Sequence, residues 1–227
     1  MKLSDNNELN SVNSFTEDNS SDLPMSNGSP IRDDSFELTE EAKIDRIEKH
    51  FRGIMDTLGL DLKDDRLMET PRRLAKMYVK EIFKGLNPDN KPAATLFDNE
   101  YKHCQMLVER NIEVQSTCEH HFQPIVGRVH LAYIPNGKVI GLSKLNRIVA
   151  YYASRPQVQE RLTRQIADEL CRVLNTEDIA VYVEARHMSM ETRGGKHQGA
   201  ETVTTEYRGK FLNENVRHEF LSTALNR

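Results

Sequence analysis

The chain has 227 residues, of which 37% are hydrophobic and 29% charged, and its formal net charge is −4. No apolar run approaches the ~20 residues of a membrane span, and we expect neither such a span nor a secretory signal. Three widely spaced cysteines are too few for a disulfide framework, which favours a reducing, cytoplasmic setting.

The acidic charge is concentrated at the N-terminus, where residues 1–40 contain nine acidic and two basic side chains. The rest of the chain is mildly basic, which suits an anionic small molecule. Its basic residues are too scattered, and too little interleaved with aromatic residues, for a nucleic-acid partner. Residues 1–38 are rich in Ser, Asn and Asp without hydrophobic periodicity, so we predict a disordered acidic tail.

A helical region is predicted over residues 39–90. Its first helix begins with Thr39 as N-cap and carries apolar residues at helical spacing. Its second helix has Thr70 as predicted N-cap and Pro71 at the first helical position. Arg73 lies off the apolar stripe of this helix, on a face that is either solvated or able to reach an anion.

An antiparallel sheet backed by helices is predicted over residues 100–227. The hydrophobic period falls toward two in the first part of this region, and a turn joins short strands there. The predicted strands are 105–117, 128–134, 139–140, 179–188 and 202–211; the predicted helices start at Ser143 and after Pro156, with a closing helix at 213–225. This pattern indicates an α+β meander rather than parallel β-α-β units.

The most distinctive run is Ser116-Thr117-Cys118-Glu119-His120-His121. The C-x-x-H spacing of Cys118 and His121 lets a thiolate and an imidazole reach one metal ion from a single turn. His120 is then free for proton transfer, because imidazole titrates near neutral pH. Taken alone, the run is equally compatible with a solvated loop that carries two surface histidines.

A second candidate site is the start of the helix at Ser143, the predicted N-cap. Lys144 and Arg147 share a face of this helix, and a helix N-terminus flanked by two cations suits a phosphate. The alternative is a capped helix with exposed bases. Likewise, Glu160 in the first turn of the next helix could simply complement its dipole.

Six stretches, taken together, resemble GTP cyclohydrolase I. They are TCEHHF at 117–122, YIP at 133–135, VIGLSKLNR at 139–147, RPQVQERL at 155–162, ETP with an arginine two residues on at 69–73, and RHEFL at 217–221. The resemblance covers about residues 40–225, so the domain is taken as 39–227. It implies the tunnelling fold and an allosteric homodecamer with active sites between subunits. It also implies conversion of GTP to 7,8-dihydroneopterin triphosphate and formate, the first step of folate and pterin synthesis.

The resemblance also implies roles for individual residues. Cys118 and His121 would be zinc ligands, and zinc lowers the pKa of bound water to about 7. His120 and His187 would transfer protons, and Ser143 would assist the ribose rearrangement. The residues implied in GTP binding are Gln159 and Glu160 for guanine, and Ser143, Lys144, Arg147 and Arg193, with Arg73 as a further contact, for the triphosphate.

One position departs from the family pattern. The third zinc ligand of the family is a cysteine two residues after the histidine that matches His187, and here that residue is Ser189. A serine hydroxyl stays neutral near pH 7 and is a much poorer zinc ligand than a thiolate. We therefore predict weak or absent zinc and little turnover, with activity restored by Ser189→Cys.

Three origins are open for Ser189: a natural weak metal site, a natural non-catalytic homologue that still binds GTP, or a deliberate Cys-to-Ser change. The intact remainder of the pocket favours a recent or engineered change. A GTP-binding module without catalysis is the main alternative function, although it has no need of two proton-transfer histidines. Another tunnelling-fold enzyme, such as a deazaguanine reductase or a dihydroneopterin aldolase, should lack the combined motifs.

Overall fold

The structure of the protein is a computed structural model that describes residues 28–192 and 199–225. The acidic tail up to residue 27 and the predicted triphosphate contact Arg193 lie outside the described residues. Within the described ranges, no helix is long and apolar enough to cross a membrane. The predicted domain boundary at residue 38 stays a prediction.

Two helices form the N-terminal region, α1 (Glu40–Thr57) and α2 (Thr70–Met77). The Thr39 hydroxyl accepts a hydrogen bond from the Ala42 amide at 3.2 Å, so the predicted cap of α1 is confirmed. The predicted cap of α2 is wrong by one residue. Glu69 is the N-cap and Thr70 is already helical, because a proline is tolerated anywhere in the first turn, where the amides lack helical partners.

Short helical turns follow α2. A π-helical turn at Tyr78–Ile82 is followed by 3₁₀ turns at Lys84–Leu86 and Pro88–Asn90. Arg72 on α2 pairs with three acids of α1, which are Glu41, Asp45 and Glu48. This pairing fixes the two helices side by side.

The main sheet has five strands in the order β5-β2-β3-β6-β7. The strands of the molecule are β1 (Leu96–Asp98), β2 (Leu107–Cys118), β3 (Pro124–Tyr133), β4 (Lys138–Ile140), β5 (Pro156–Gln157), β6 (Ile179–His187) and β7 (Glu201–Tyr207). All neighbours in the main sheet are antiparallel except β2 and β5, and β1 and β4 form a separate two-stranded ribbon.

Helices cover both faces of the sheet. The remaining helices are α3 (Leu142–Ala153), α4 (Gln159–Leu174), α5 (Met188–Glu191) and α6 (Glu214–Leu225). Val129, Leu131 and Tyr133 alternate along β3 and bury against α3 and α4, while Ala132 packs under α6. The predicted class, an α+β fold with an antiparallel sheet backed by helices, is confirmed.

Several boundaries differ from the sequence-based expectation. β3 begins at Pro124 rather than residue 128, and β7 ends at Tyr207 rather than 211. Pro156, predicted only to break the chain, opens the short strand β5 because it pairs with Thr117 of β2. This pairing joins residues distant in sequence, which no local pattern reports. The N-cap of α3 is Gly141, so the predicted cap role of Ser143 is also wrong.

Candidate active site

The loop between β2 and β3 carries the most distinctive motif of the chain. We call Cys118–Phe122 the CEHH loop. Its amides at Cys118 and Phe122 donate to Gln123 O and Cys118 O, both at 2.8 Å, so the loop is a tight turn. Phe122 closes it with a left-handed backbone, φ +53°, which is uncommon for a side chain of this size. Its ring packs edge-on against Phe83 at 5.4 Å between centroids, and this contact supports the unusual turn.

The thiol of Cys118 is buried, whereas the two histidines that follow are exposed. Cys118 packs against Ile125 and Ala185 beneath the loop. Its Sγ lies 3.9 Å from Nδ1 of His120, the imidazole that the resemblance assigned to proton transfer. The ring of His121 stands edge-on to that of His120, with centroids 6.3 Å apart. One thiol and two imidazoles therefore occupy a single turn.

The strand register brings His187 to the same end of the sheet. Ile125 of β3 is paired with Ser116 of β2 on one side and with His187 of β6 on the other. Adjacent strands lie about 4.8 Å apart, so the ends of β2 and β6 are separated by the width of one strand. The CEHH loop and the turn after His187 therefore meet at one end of the strands, although His121 and His187 are 66 positions apart in the sequence.

Gln159 holds the imidazole of His187. Its side-chain nitrogen donates to the carbonyl oxygens of Val183 and Thr202 at 3.2 and 2.8 Å, and to Thr204 Oγ1 at 3.2 Å. Because these three partners are acceptors, the amide oxygen is the atom that faces Nε2 of His187, at 2.9 Å. A neutral His187 therefore carries its proton on Nε2, which leaves Nδ1 as the acceptor.

The environment of His187 favours the neutral form. Burial lowers the pKa of His187, and the carboxylate of Glu160 raises it by a smaller amount. Glu160 itself is exposed at the start of α4, beside the buried Gln159. An acceptor imidazole and an accessible carboxylate thus stand together, as a site for proton transfer on a nitrogenous base requires.

The residues at this edge do not supply a complete zinc site of the usual kind. Ser189 lies on α5, directly after His187, where the family pattern has a cysteine. Within residues 28–192 and 199–225, no group of three or more His, Cys, Asp or Glu side chains is arranged to hold a metal ion. A structural or catalytic zinc is normally bound by three or four nitrogen, sulfur or carboxylate ligands. The side chains present therefore do not fit a tightly bound zinc.

The predicted phosphate cradle lies at the opposite end of the sheet. α3 begins after Ile140, whose amide donates to the hydroxyl of Tyr133 at the far end of β3. It ends just before Pro156, which pairs with Thr117 next to the CEHH loop. A helix of 12 residues is about 18 Å long. Lys144, in its first turn, is therefore separated from Cys118 of the same chain by most of the sheet.

Three further predicted contacts, Ser143, Arg147 and Arg73, are not brought to the CEHH loop either. Ser143 and Arg147 are exposed and share the start of α3 with Lys144. Arg73 is exposed on α2. The structure thus assembles the loop, His187, Ser189 and the Gln159–Glu160 pair, and leaves the cation cluster elsewhere.

Sequence reasoning missed two charged residues at the site. Glu119, within the CEHH loop, forms an ion pair with Arg161 of α4. The arginine side chain is 17% exposed and the glutamate 24%, so the pair is largely shielded from water. Both residues stand inside stretches that carry the family resemblance, and their opposite charges were the available signal. Only the tertiary contact between β2 and α4 shows that they meet.

Comparison with known proteins identifies what the chain is similar to. The sequence model of the GTP cyclohydrolase I family matches residues 47–225. GTP cyclohydrolase 1 of Flavobacterium johnsoniae is 56% identical over 192 residues, which cover 85% of this chain and 86% of the relative. The enzyme of the same name from Aeromonas salmonicida is 51% identical over 185 residues, 81% of this chain and 85% of the relative. That of Escherichia coli K12 is 49% identical over 193 residues, 85% and 87% of the two chains.

Proposed function

Since the chain belongs to the GTP cyclohydrolase I family, we propose that it opens the imidazole ring of GTP, releases formate and yields 7,8-dihydroneopterin triphosphate in the cytoplasm, the first step of folate and pterin synthesis. The observation that carries this proposal is the meeting of the CEHH loop with His187 at one edge of the sheet. Two imidazoles near a buried thiol are more than a nucleotide-binding surface needs.

We propose the following roles for the site residues. The exposed carboxylate of Glu160 accepts hydrogen bonds from the N–H groups of guanine, which selects a purine of this donor pattern. His187, held by Gln159 through Nε2, exchanges protons with the substrate at Nδ1. His120, exposed at the front of the loop, is the second proton-transfer group. Ser143 assists the ribose rearrangement.

Zinc binding is the part of the proposed function for which this chain lacks a ligand. The family uses zinc, and we propose Cys118, His121 and position 189 as its ligands. Ser189 offers a neutral hydroxyl in place of a thiolate, so two strong ligands remain and affinity falls steeply. We therefore expect this chain, as written, to bind GTP with little turnover.

The complete site is proposed to form between subunits of a homo-oligomer, a decamer by family resemblance. Lys144 and Arg147 of one subunit would reach the triphosphate of a GTP bound at the CEHH loop of another. The support is that α3, a helix about 18 Å long, runs between the two groups within one chain. Arg73 and Arg193 are proposed as further contacts to the triphosphate.

The test compares the chain as written with Ser189→Cys. Zinc content of the purified proteins and pterin fluorescence after incubation with GTP are measured side by side. We expect Ser189→Cys to carry near-stoichiometric zinc and to turn over GTP at least about a hundredfold faster, because a restored thiolate completes the ligand set. Ser189→Ala is the matched control and should resemble the unchanged chain. Ordinary enzyme rates from the unchanged chain would contradict the proposed effect of Ser189 and leave the proposed reaction standing.

A second candidate function is a GTP-binding homologue without catalysis. The observation that favours it is Ser189 itself, since loss of one ligand abolishes chemistry but leaves the carboxylate and the cation cluster. If Ser189→Cys binds zinc and GTP yet forms no pterin, this second function is the correct one.

A further inference from the structure

We propose that Ser29 is a positioning residue for the CEHH loop, acting through a continuous series of hydrogen bonds between buried and half-buried groups. The segment Gly28–Ile31, here called the N-terminal arm, is the outer end of this series, and Glu119 is the inner end. The inference rests on the proposed function, because the loop it positions is the proposed catalytic one.

The arm is inserted into the body of the protein at Ser29. The side chain of Ser29 is 5% exposed, although it belongs to a stretch rich in serine and asparagine that composition alone would leave in water. Its Oγ accepts hydrogen bonds from Gln165 Nε2 at 3.1 Å and from Arg155 Nη1 at 3.3 Å. The preceding Gly28 packs over Arg161, where an added Cβ would lie 3.8 Å from Cδ.

Two buried glutamines continue the series from the arm. The side-chain oxygen of Gln165 accepts from Gln157 Nε2 at 2.8 Å, and the oxygen of Gln157 accepts from Arg161 Nε at 2.9 Å. Both glutamines are at most 1% exposed. Each amide receives a hydrogen bond at one end and donates one at the other, so the orientation of one amide dictates that of the next.

Arg161 transmits this order to the loop. Its Nη2 donates to the carboxylate of Glu119 and, at 3.0 Å, to the carbonyl of Pro156. The backbone amide of Glu119 donates in turn to Gln157 O at 3.0 Å. Glu119 is thus held by both its main chain and its side chain, and its second carboxylate oxygen lies 3.9 Å from Nε2 of His120.

The consequence of losing Ser29 follows from this arrangement. Without the hydroxyl, buried donors of Gln165 and Arg155 lose an acceptor, and the amide of Gln165 is less constrained. We expect the disturbance to pass to Arg161 and to loosen Glu119, while the hydrophobic core between sheet and helices, which does not include these side chains, should change far less. The effect is therefore local to the loop that carries His120.

The first test is amide hydrogen exchange of the full-length chain, followed by mass spectrometry of peptides that cover residues 117–123. Ser29→Ala is compared with Ser35→Ala, the same substitution six residues further along the chain. The hydroxyl of Ser35 is buried without a hydrogen-bond partner in the described part of the chain, so its removal breaks no such series. We expect exchange in the loop to be roughly five- to tenfold faster in Ser29→Ala only.

Two results of this comparison would overturn the proposal. One is loop exchange in Ser29→Ala equal to that in Ser35→Ala. The other is acceleration spread evenly over the core strands, which would assign to Ser29 a general role in stability rather than a positioning one.

A double-mutant cycle tests whether the path runs through Arg161. Arg161→Lys keeps the charge but cannot bond Gln157, Pro156 and Glu119 at once. Once Arg161 is replaced, the further loss of Ser29 should add little to loop exchange, because both changes break one series. Fully additive effects of the two substitutions on loop exchange would show that Ser29 and Arg161 act independently, and would contradict the proposed path.

Turnover provides a readout that a purely structural role would not move. In the Ser189→Cys background, Ser29→Ala should lower kcat roughly tenfold at 25 °C with KM for GTP unchanged, since it displaces a proton-transfer group rather than a binding group. An unchanged kcat contradicts the positioning role. If Ser189→Cys itself proves inactive, the proposed function fails, whereas the exchange experiment still decides the role of Ser29.

Discussion

Gln159 and Glu160 are neighbours in the sequence but occupy different environments at the start of α4. Gln159 is 2% exposed, and its side-chain amide forms hydrogen bonds with β6, with β7 and with His187. The carboxylate of Glu160 is exposed at the same edge. The resemblance assigned both residues to guanine, and the structure favours a division of labour in which Gln159 acts through His187.

We expect substitutions at these two positions to separate binding from chemistry. Glu160→Gln should weaken GTP binding roughly tenfold or more, because a hydrogen bond to a charged acceptor is lost. Gln159→Leu, which removes the hydrogen bond to His187, should leave GTP affinity nearly unchanged and lower kcat in the Ser189→Cys background. Calorimetry gives the affinity in the chain as written. Equal losses of GTP affinity in both variants would show that Gln159 contributes directly to guanine binding.

His130 is a buried imidazole outside the candidate site. It is 2% exposed on β3, and neither ring nitrogen has a hydrogen-bond partner in the described residues. Burial lowers the pKa of His130; the Glu184 carboxylate, 3.7 Å from Nε2, and the Ala224 backbone raise it, and Arg128 lowers it. The folded state therefore favours the neutral ring.

The sign of the pH dependence follows from this lowered pKa. Below the unfolded pKa of about 6.5 the unfolded chain binds a proton that folded His130 resists, so stability is full above that pH and falls as pH decreases. The slope from this one group is at most about 1.4 kcal/mol per pH unit. Urea unfolding between pH 7.5 and 5.5 should show this slope reduced in His130→Leu and retained in His218→Leu, an exposed site on α6. Identical slopes would contradict the assignment.

Gly85 lies at the contact between the N-terminal helical region and the sheet domain. Its amide donates to Ser154 O at 3.0 Å, and its carbonyl accepts from Arg155 Nε at 2.8 Å. A Cβ at this position would lie 2.0 Å from the Tyr151 carbonyl oxygen. The 3₁₀ turn after α2 can therefore approach the C-terminus of α3 only with glycine at the contact.

Gly85→Ala should lower the free energy of unfolding by about 3 kcal/mol, because backbone must move to admit the methyl group. Gly53→Ala is the matched control: it lies within α1 with nothing within 4 Å of the new Cβ, and should raise stability by roughly 0.5–1 kcal/mol. Denaturant titration measures both. A loss at Gly85 no larger than about 0.5 kcal/mol would show that the contact is easily relaxed.

The elements that the sequence predicted well are those with a complete local signal. α1 has its cap and its periodic apolar face, and β3 alternates along Val129, Leu131 and Tyr133. The tunnelling-fold class is confirmed by the sheet with its helices and by family membership. β5 was not predicted, because a two-residue strand exists only through its pairing with Thr117 and Cys118.

Within one subunit, the two halves of the proposed site lie at opposite ends of the sheet. The CEHH loop is at one end of β2, and Lys144 is at the start of α3 near the other. We propose that the two groups act on one GTP molecule only when they come from different subunits. An oligomer that places one end of the sheet against the other end in a neighbouring subunit would satisfy this arrangement.

Mixed oligomers test this arrangement. In the Ser189→Cys background, Lys144→Ala and His187→Ala should each be nearly inactive alone. Co-expression in equal amounts should restore roughly a quarter of the activity per site, because one site in four draws both intact residues from different subunits. The control pairs Lys144→Ala with Arg147→Ala, which damage the same end of the chain and should complement far less. Absence of recovery in the first pair would place the whole site within one subunit.

The sequence by itself determined the family, the α+β class and the chemical identity of the site residues, since motif spacing and residue type are properties of the chain. It also marked Ser189 as the departure from the family pattern at a position proposed for a zinc ligand. Tertiary structure alone decided which residues meet: His187 with the CEHH loop, Glu119 with Arg161, and Ser29 with Gln165 of α4. The physical reason is that these contacts join distant segments, and their hydrogen bonds form only where the sheet register and helix packing bring buried polar groups within reach of one another.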